Sequence, residues 1–167
     1  MCREAWSALL IADEGWGHAV RAGEVAAPFP TVGLDTLAVE AARLLAGRNL
    51  PGLIVVDGVG RPLTVLPGTQ VLRMAVPAYC QDDPALARVI DEAEADLLLS
   101  GLEGRTVGQC LPEPPRELPV VDPDATVLEI AALMARTRSP LVAVVDEAGT
   151  MRGAVTLDAL LDRMLGS

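Results

Sequence analysis

Shifted by 89 positions, the chain lies over itself without a gap. FPTVGLDTLAVEAARLLAGRNLPGLIVVDGVG, from Phe29, falls on LPVVDPDATVLEIAALMARTRSPLVAVVDEAG, from Leu118. Pro30 meets Pro119, Val32 meets Val121, Asp35 meets Asp124 and Glu40 meets Glu129. Pro51 meets Pro140, Val55-Val56-Asp57 meets Val144-Val145-Asp146, and Gly60 meets Gly149. A repeat of this kind restricts the fold to one supersecondary unit used twice, because a unit of about 45 residues cannot bury enough surface alone. Two such units that bury their sheets against each other solve the problem together.

Each copy reads as β-α-β-β-α. A short strand, Thr31–Val32 or Val120–Val121, leads to an acidic residue and then a helix. In the second copy Leu128, Ala131, Ala132 and Ala135 share one helical face, widened by Ile130, Leu133 and Met134; in the first, Val39, Ala42 and Ala46 do the same beside Leu44 and Leu45. Pro51 and Pro140 end these helices, since proline cannot continue them. The apolar runs Leu53–Val56 and Leu141–Val145 do not alternate, which predicts strands buried on both faces. Asp57-Gly58 through Gly60 and Asp146 through Gly149 carry turn chemistry and predict hairpins. The returning strands are Leu63–Leu66 and Gly153–Thr156, followed by helices over Thr69–Ala75 and Leu157–Leu165.

The fold class is therefore α/β (α+β), two β-α-β-β-α repeats packed sheet against sheet. The division is residues 1–19 as an N-terminal extension, 20–76 as repeat one, 77–104 as a connecting helical segment and 105–167 as repeat two. The connecting helix is expected to start at a cap on Asp82 or Asp83 with Pro84 in its first turn, and to run through Leu86, Val89, Ile90 and Ala93 to about Ser100. The lead-ins Arg21-Ala-Gly-Glu-Val and Arg105-Thr-Val-Gly-Gln are paired as counterparts. Residues 1–19 have no counterpart. They read either as a loosely attached extension lying outside the natural start of the protein, or as an amphipathic helix, Glu4 to Ile11, packed on the module.

Composition removes several functions. The net charge of −10 repels a phosphate backbone, so general nucleic-acid binding is not expected, though one small anion needs only a local positive patch. Cys2, Cys80 and Cys110 stand far apart and His18 is the single histidine, too few for a zinc cluster. The cysteines read as small apolar residues in a reducing compartment. No apolar run suits a signal peptide or a membrane span, so the expected location is cytoplasmic with no membrane insertion. The nucleophile-elbow, phosphate-loop and metalloprotease motifs are all missing, and Asp82-Asp83 reads as a helix cap.

The segment LPVVDPDATVLEIAALMARTRSPLVAVVDEAGTMRGAVTLDALLDRML resembles a CBS motif (cystathionine-β-synthase-type) along its whole length. The opening V-x-P-D-x-T, the strand S-P-L-V-x-V-V-D and the returning G-x-V-T carry the resemblance, and residues 29–75 resemble a more divergent copy. The resemblance implies a stand-alone CBS pair, or Bateman module, its two repeats packed as a pseudo-two-fold disc: a regulatory domain rather than an enzyme. It implies a homodimer of apposed discs, and adenine-nucleotide clefts between the repeats that take AMP, ADP, ATP or S-adenosylmethionine. It also implies a separate enzyme or transporter as regulated partner.

Carried over by position, the family's phosphate-contacting hydroxyl falls on Thr156. The ribose-binding aspartate position falls on Ala159, with Asp158 one residue earlier, rotated by about 100° on a helix. In the first copy Pro67 replaces the hydroxyl residue and Gln70 the aspartate. Arg48 and Asn49 are expected to face Thr156, and Thr137 and Arg138 to face Gln70. Two readings follow from this altered motif: a nucleotide sensor, or a ligand-free interaction module whose clefts have degenerated.

Overall fold

The computed structural model describes residues 20–89 and 100–166. Helix α1 spans Ala22–Val25, β1 Thr31–Gly33, α2 Ala38–Arg48, β2 Gly52–Val56, β3 Pro62–Pro67 and α3 Gly68–Ala75. A short α4, Ala78–Asp82, and a 3-10 turn, Pro84–Val89, lead toward the second half. There α5 spans Val107–Cys110, β4 Val120–Val121, α6 Val127–Thr137, β5 Leu141–Val145, β6 Met151–Thr156 and α7 Leu157–Leu165. The expected continuation of the connecting helix past Val89, and the alternatives for residues 1–19, lie outside the described residues.

Two three-stranded sheets form, ordered β1-β2-β3 and β4-β5-β6. In each, the first pair is parallel and the second antiparallel, with a bulge at the same place, between Val55 and Val56 and between Val144 and Val145. The 89-residue register holds from strand to bulge to turn. Both hairpins turn through a glycine at φ 82, Gly60 and Gly149, in the left-handed region that glycine adopts without strain.

The central strands are buried on both faces, as the unbroken apolar runs imply. Val142 and Val144 pack into the second repeat's helical core, whereas Leu141 and Ala143 face the other sheet. Leu53 and Val55 pack into the first repeat's helices, and Ile54 faces inward. The inward layer of Ile54, Val65, Leu118, Leu141, Ala143 and Ala154 joins the repeats. At about 25 cal/mol per Å² of apolar surface, burying a side chain such as Ile54 contributes about 2 kcal/mol.

The helices turn a different face inward from the one expected. Val127, Ile130 and Met134 are the buried residues of α6, and Ala38 and Ala41 those of α2. Leu128 is 65% exposed, and Ala132, Ala135 and Ala46 also face outward. Apolar residues run nearly all round α6, so periodicity alone could not choose between two apolar faces. The inner face is set by where Thr126 caps the helix: its side chain accepts from the Glu129 N–H at 3.1 Å.

The lead-ins are exchanged. Helix α1 packs on the second repeat: the Ala22 N–H donates to the Ala125 carbonyl at 2.8 Å and the Gly23 N–H to the Pro123 carbonyl at 2.9 Å. Helix α5 packs on the first repeat through equivalent bonds, Val107 N–H to Thr36 and Gly108 N–H to Leu34. The side chains of Glu24 and Gln109 each accept from the N-cap backbone N–H three residues earlier. The counterpart of Arg21 is therefore Thr106, not Arg105, a shift of 85 rather than 89. The difference means that the lead-in to repeat two carries extra residues between Cys110 and Val120, in its proline-rich stretch.

Candidate functional site

A cleft of about 420 Å³ opens between the repeats, where three walls meet. The first is the end of β3 and the start of α3, with Val65, Pro67 and Thr69. The second is the turn that follows α6, with Thr137, Arg138, Ser139 and Pro140. The third is the proline-rich lead-in, Pro114 to Glu117.

Local sequence explains the second wall. Helix α6 cannot run through Pro140, so it stops with Arg138 as its C-cap at φ 53, ψ 32. Asn49 caps α2 in the same left-handed conformation, at φ 50. Asparagine adopts that conformation readily; arginine does so at a cost of about 1 kcal/mol. A strained residue at the mouth of a cleft points to use of its side chain. Ser139 is buried and donates to the Leu141 carbonyl at 2.8 Å, and Thr137 donates to the Leu133 carbonyl at 2.7 Å. Both hydroxyls have spent their proton on the backbone and retain lone pairs, so toward a ligand they act as acceptors.

Charge is locally reversed. Acids outnumber bases 23 to 13 in the chain, and all the bases are arginines. Arg116 and Arg138 nevertheless share this cleft with the single carboxylate of Glu117. Among the described residues the ion pair is Arg152 with Asp146 at 2.7 Å, so neither cleft arginine is neutralised there. Two unpaired guanidinium groups, each able to grip oxygens in a fork, suit an anionic group of phosphate type.

Thr137 and Arg138 thus come together with the end of repeat one. Gln70 does not line the cleft; Thr69, one residue earlier on the first turn of α3, does. Because α3 already begins at Gly68, the side chain at 69 is the one turned to the cleft, and Asp158 is its equivalent in repeat two. Arg48 ends α2, exposed, with Asn49 beyond it. Thr156 is half-buried and caps α7, its hydroxyl accepting from the Ala159 N–H at 3.2 Å, and Asp158 is exposed in the first turn. None of these four lines the 420 Å³ cleft.

Sequence reasoning missed Thr69, Arg116 and Ser139. A signal for Arg116 existed: the change of repeat register between lead-in and strand marks a segment that only the second lead-in possesses.

Two other features bear on function. An apolar groove of about 620 Å³ runs between α6 and α7, lined by Ala131, Met134, Leu157, Leu161 and Met164 among others. Among the described residues no group of three or more His, Cys, Asp or Glu side chains could hold a metal ion, and no helix is long and apolar enough to cross a membrane.

Comparison with known proteins agrees with this architecture. The family model described as CBS domain matches residues 112–166. A CBS domain-containing protein of unknown function from Kribbella flavida is 55% identical, over 88% of this chain and 99% of that one, with a TM-score of 0.79. CBSX2 in complex with AMP superposes with a TM-score of 0.62 at 23% identity, over 87% of this chain and 96% of that one. The CBS domain of a membrane protein from Sphaerobacter thermophilus does so with a TM-score of 0.69 at 23% identity, over 96% and 97%. No curated protein matches the chain.

Proposed function

From the premise that the chain belongs to the CBS-domain family, we propose that it is a regulatory module. It binds an adenine nucleotide or a related small molecule in an inter-repeat cleft, and thereby modulates a separate partner protein. One observation carries the reading: Arg116 and Arg138 lie unpaired at a cleft between the repeats, with Arg138 held in a conformation unfavourable to arginine. The AMP complex of the similarly folded CBSX2 supports the choice of ligand class. Thr69 supplies a hydroxyl for the phosphate, and Thr137 and Ser139, as acceptors, suit the hydroxyls of the sugar. Binding between two rigid sheets changes their relative packing, which is how occupancy would reach a partner. The chain acts as a sensor and carries no catalytic step.

The site residues of this proposal are Arg138, Thr137, Arg116, Thr69 and Ser139. Gln70, Thr156, Asp158, Arg48 and Asn49 stay outside it, since none of them lines the cleft. Thermal denaturation with AMP, ADP, ATP and S-adenosylmethionine tests it. A ligand at a hundredfold its Kd stabilises the native state by about 2.7 kcal/mol, a readable rise in the melting midpoint. No shift with any of the four at millimolar concentration overturns the reading.

The second reading is a ligand-free interaction module. Pro67, which lacks the hydroxyl expected at its position, and the apolar groove between α6 and α7 favour it. Leu157, Leu161 and Leu165 are all exposed beside that groove, a face suited to a second copy of the chain. The homodimer belongs to both readings.

A further inference from the structure

Among the described residues, nothing covers the apolar groove between α6 and α7. Ala131, Met134, Ala135, Leu157, Leu161 and Met164 line it. Leu157 and Leu161 are 42% and 43% exposed, and Leu165 on the same helix is 76% exposed. Apolar surface gathered in a groove marks an interaction site, and a groove between two helices suits the apolar side of a third. Its occupant follows from where the chain enters repeat two. Val20, just upstream of α1, is buried in the second repeat's core. It shares a hollow with Ala159, Asp162 and Arg163 on one side of α7, whereas Leu157, Leu160, Leu161 and Met164 face the groove on the other. Residues 1–19 are therefore tethered within one helix width of the groove, about 10 Å. Residues 12–19 alone span up to about 26 Å when extended, enough to cross α7.

Residues 4–11 carry the matching chemistry. Ala5, Trp6, Leu9 and Leu10 recur at helical spacing on one side, with Glu4 and Ser7 on the other. Trp6 and Trp16 are the two tryptophans of the chain, and the thioethers of Met134 and Met164 in the groove make favourable contacts with aromatic rings. The other lead-in supplies a parallel. Leu102, four residues before the N-cap of α5, is 2% exposed in the core of repeat one, the repeat on which α5 docks. Four residues before Arg21, the N-cap of α1, stands Gly17, which has no side chain to insert. The apolar side chains that this lead-in can lay on repeat two therefore stand further upstream, at Trp16 and from Ala5 to Leu10. A short tether gives an effective concentration of about a millimolar, so weak contacts suffice against a free partner or a second copy at micromolar concentration.

We propose that residues 4–11 dock as an amphipathic helix in the groove between α6 and α7 of the same chain, with Trp6 among its methionines. The segment is then an intramolecular cap on the apolar face of repeat two, and a second copy reaches that face only by displacing it. The inference stands whether or not the inter-repeat cleft takes a nucleotide.

Tryptophan fluorescence of the full chain tests it, because Trp16→Phe leaves Trp6 as the single tryptophan. In that background Trp6 should emit at shorter wavelength, and be less quenched by acrylamide, than in the urea-unfolded chain. Emission equal to that of the unfolded chain overturns the inference. Leu161→Glu and Ala135→Glu each place a charge in the groove, one from α7 and one from α6, at exposed positions where the fold can bear it. Each should return Trp6 to the emission of the unfolded chain while circular dichroism stays that of the parent, and either variant decides the matter if the other fails to fold. A Trp6 still protected in a folded groove variant overturns the groove as its site. Protection that is lost on dilution through the micromolar range means that the segment docks on a second copy, and overturns the intramolecular cap. A parent that sediments as a dimer, and that Leu161→Glu splits with Trp6 emission unchanged, has a second copy in the groove, and this too overturns the inference.

Discussion

The Thr64 hydroxyl bonds the carbonyl of Arg116, a residue 52 positions further along the chain, whereas Ala27, the equivalent of Arg116, forms an isolated antiparallel bridge with Ala154. One side chain thus ties the proline-rich lead-in to β3 while holding it off the strand backbone. The same contact carries Arg116 to the rim of the cleft, opposite Arg138, and the arginines are where the first prediction falls.

Arg138→Gly separates ligand binding from stability. Glycine removes the left-handed strain, so stability should hold or rise by up to about 1 kcal/mol. Loss of a charge-assisted contact should weaken nucleotide binding by about tenfold or more. Denaturant unfolding and calorimetry on one preparation read both. Weaker folding with unchanged affinity would remove Arg138 from the site.

Thr156→Ala should behave in the opposite way. Its hydroxyl caps α7 at the Ala159 N–H, so stability should fall by about 1 kcal/mol. AMP affinity should stay within about twofold, because Thr156 does not line the open cleft. A large loss of affinity in a folded protein would move the site from this cleft to Thr156.

Ile130→Ala and Leu128→Ala test which face of α6 is inside. Ile130 is 0% exposed, and its truncation should cost about 2–5 kcal/mol. Leu128 should cost under about 0.5 kcal/mol in the monomer. If the proposed homodimer forms through the apolar groove, Leu161→Glu should shift sedimentation to the monomer while leaving the fold intact, and an unchanged sedimentation profile would remove the groove as its interface.

Asp57 and Asp146 make the two hairpins sensitive to acid. Backbone hydrogen bonds, from Arg61 and Val59 to Asp57 and from Thr150 and Ala148 to Asp146, favour the charged carboxylates and hold them below the ordinary range; Arg152 adds to the effect at Asp146. With the folded value depressed, their contribution is complete above the unfolded pKa of about 3.9 and is lost as pH falls through the folded value. Asp57→Asn and Asp146→Asn should lower the melting midpoint at pH 7, and the gap to the parent should narrow below about pH 4.

The two-copy architecture was legible because its signals are local. Pro51 and Pro140 end helices, Gly60 and Gly149 turn hairpins, and unbroken valine runs lie between two layers. The inner face of α6 was not legible, since Leu128 and Ile130 are equally apolar and only the opposing sheet distinguishes them. The cleft was half legible. Thr137 and Arg138 follow from where a helix must stop. Thr69, Arg116 and the Thr64 contact depend on a lead-in whose path is set by residues far away in sequence. The exchange of lead-ins was invisible for the same reason: Ala22 and Pro123 carry no mark of each other.

That exchange has a bearing on how the chain is made. Arg21 reaches the Asp124 carbonyl across 103 residues, and Ala22 is completely buried in the core built around Ile130 and Val142. On the ribosome, α1 emerges long before the second repeat and has nowhere to dock until most of that repeat has been synthesised. The first repeat likewise waits for Val107 and Cys110 before its own core closes. Contacts of such long sequence separation slow folding and lengthen the time that apolar surface stays exposed. A chain truncated before β5 should therefore emerge as a substrate for chaperones and proteases, and not as half of a working module.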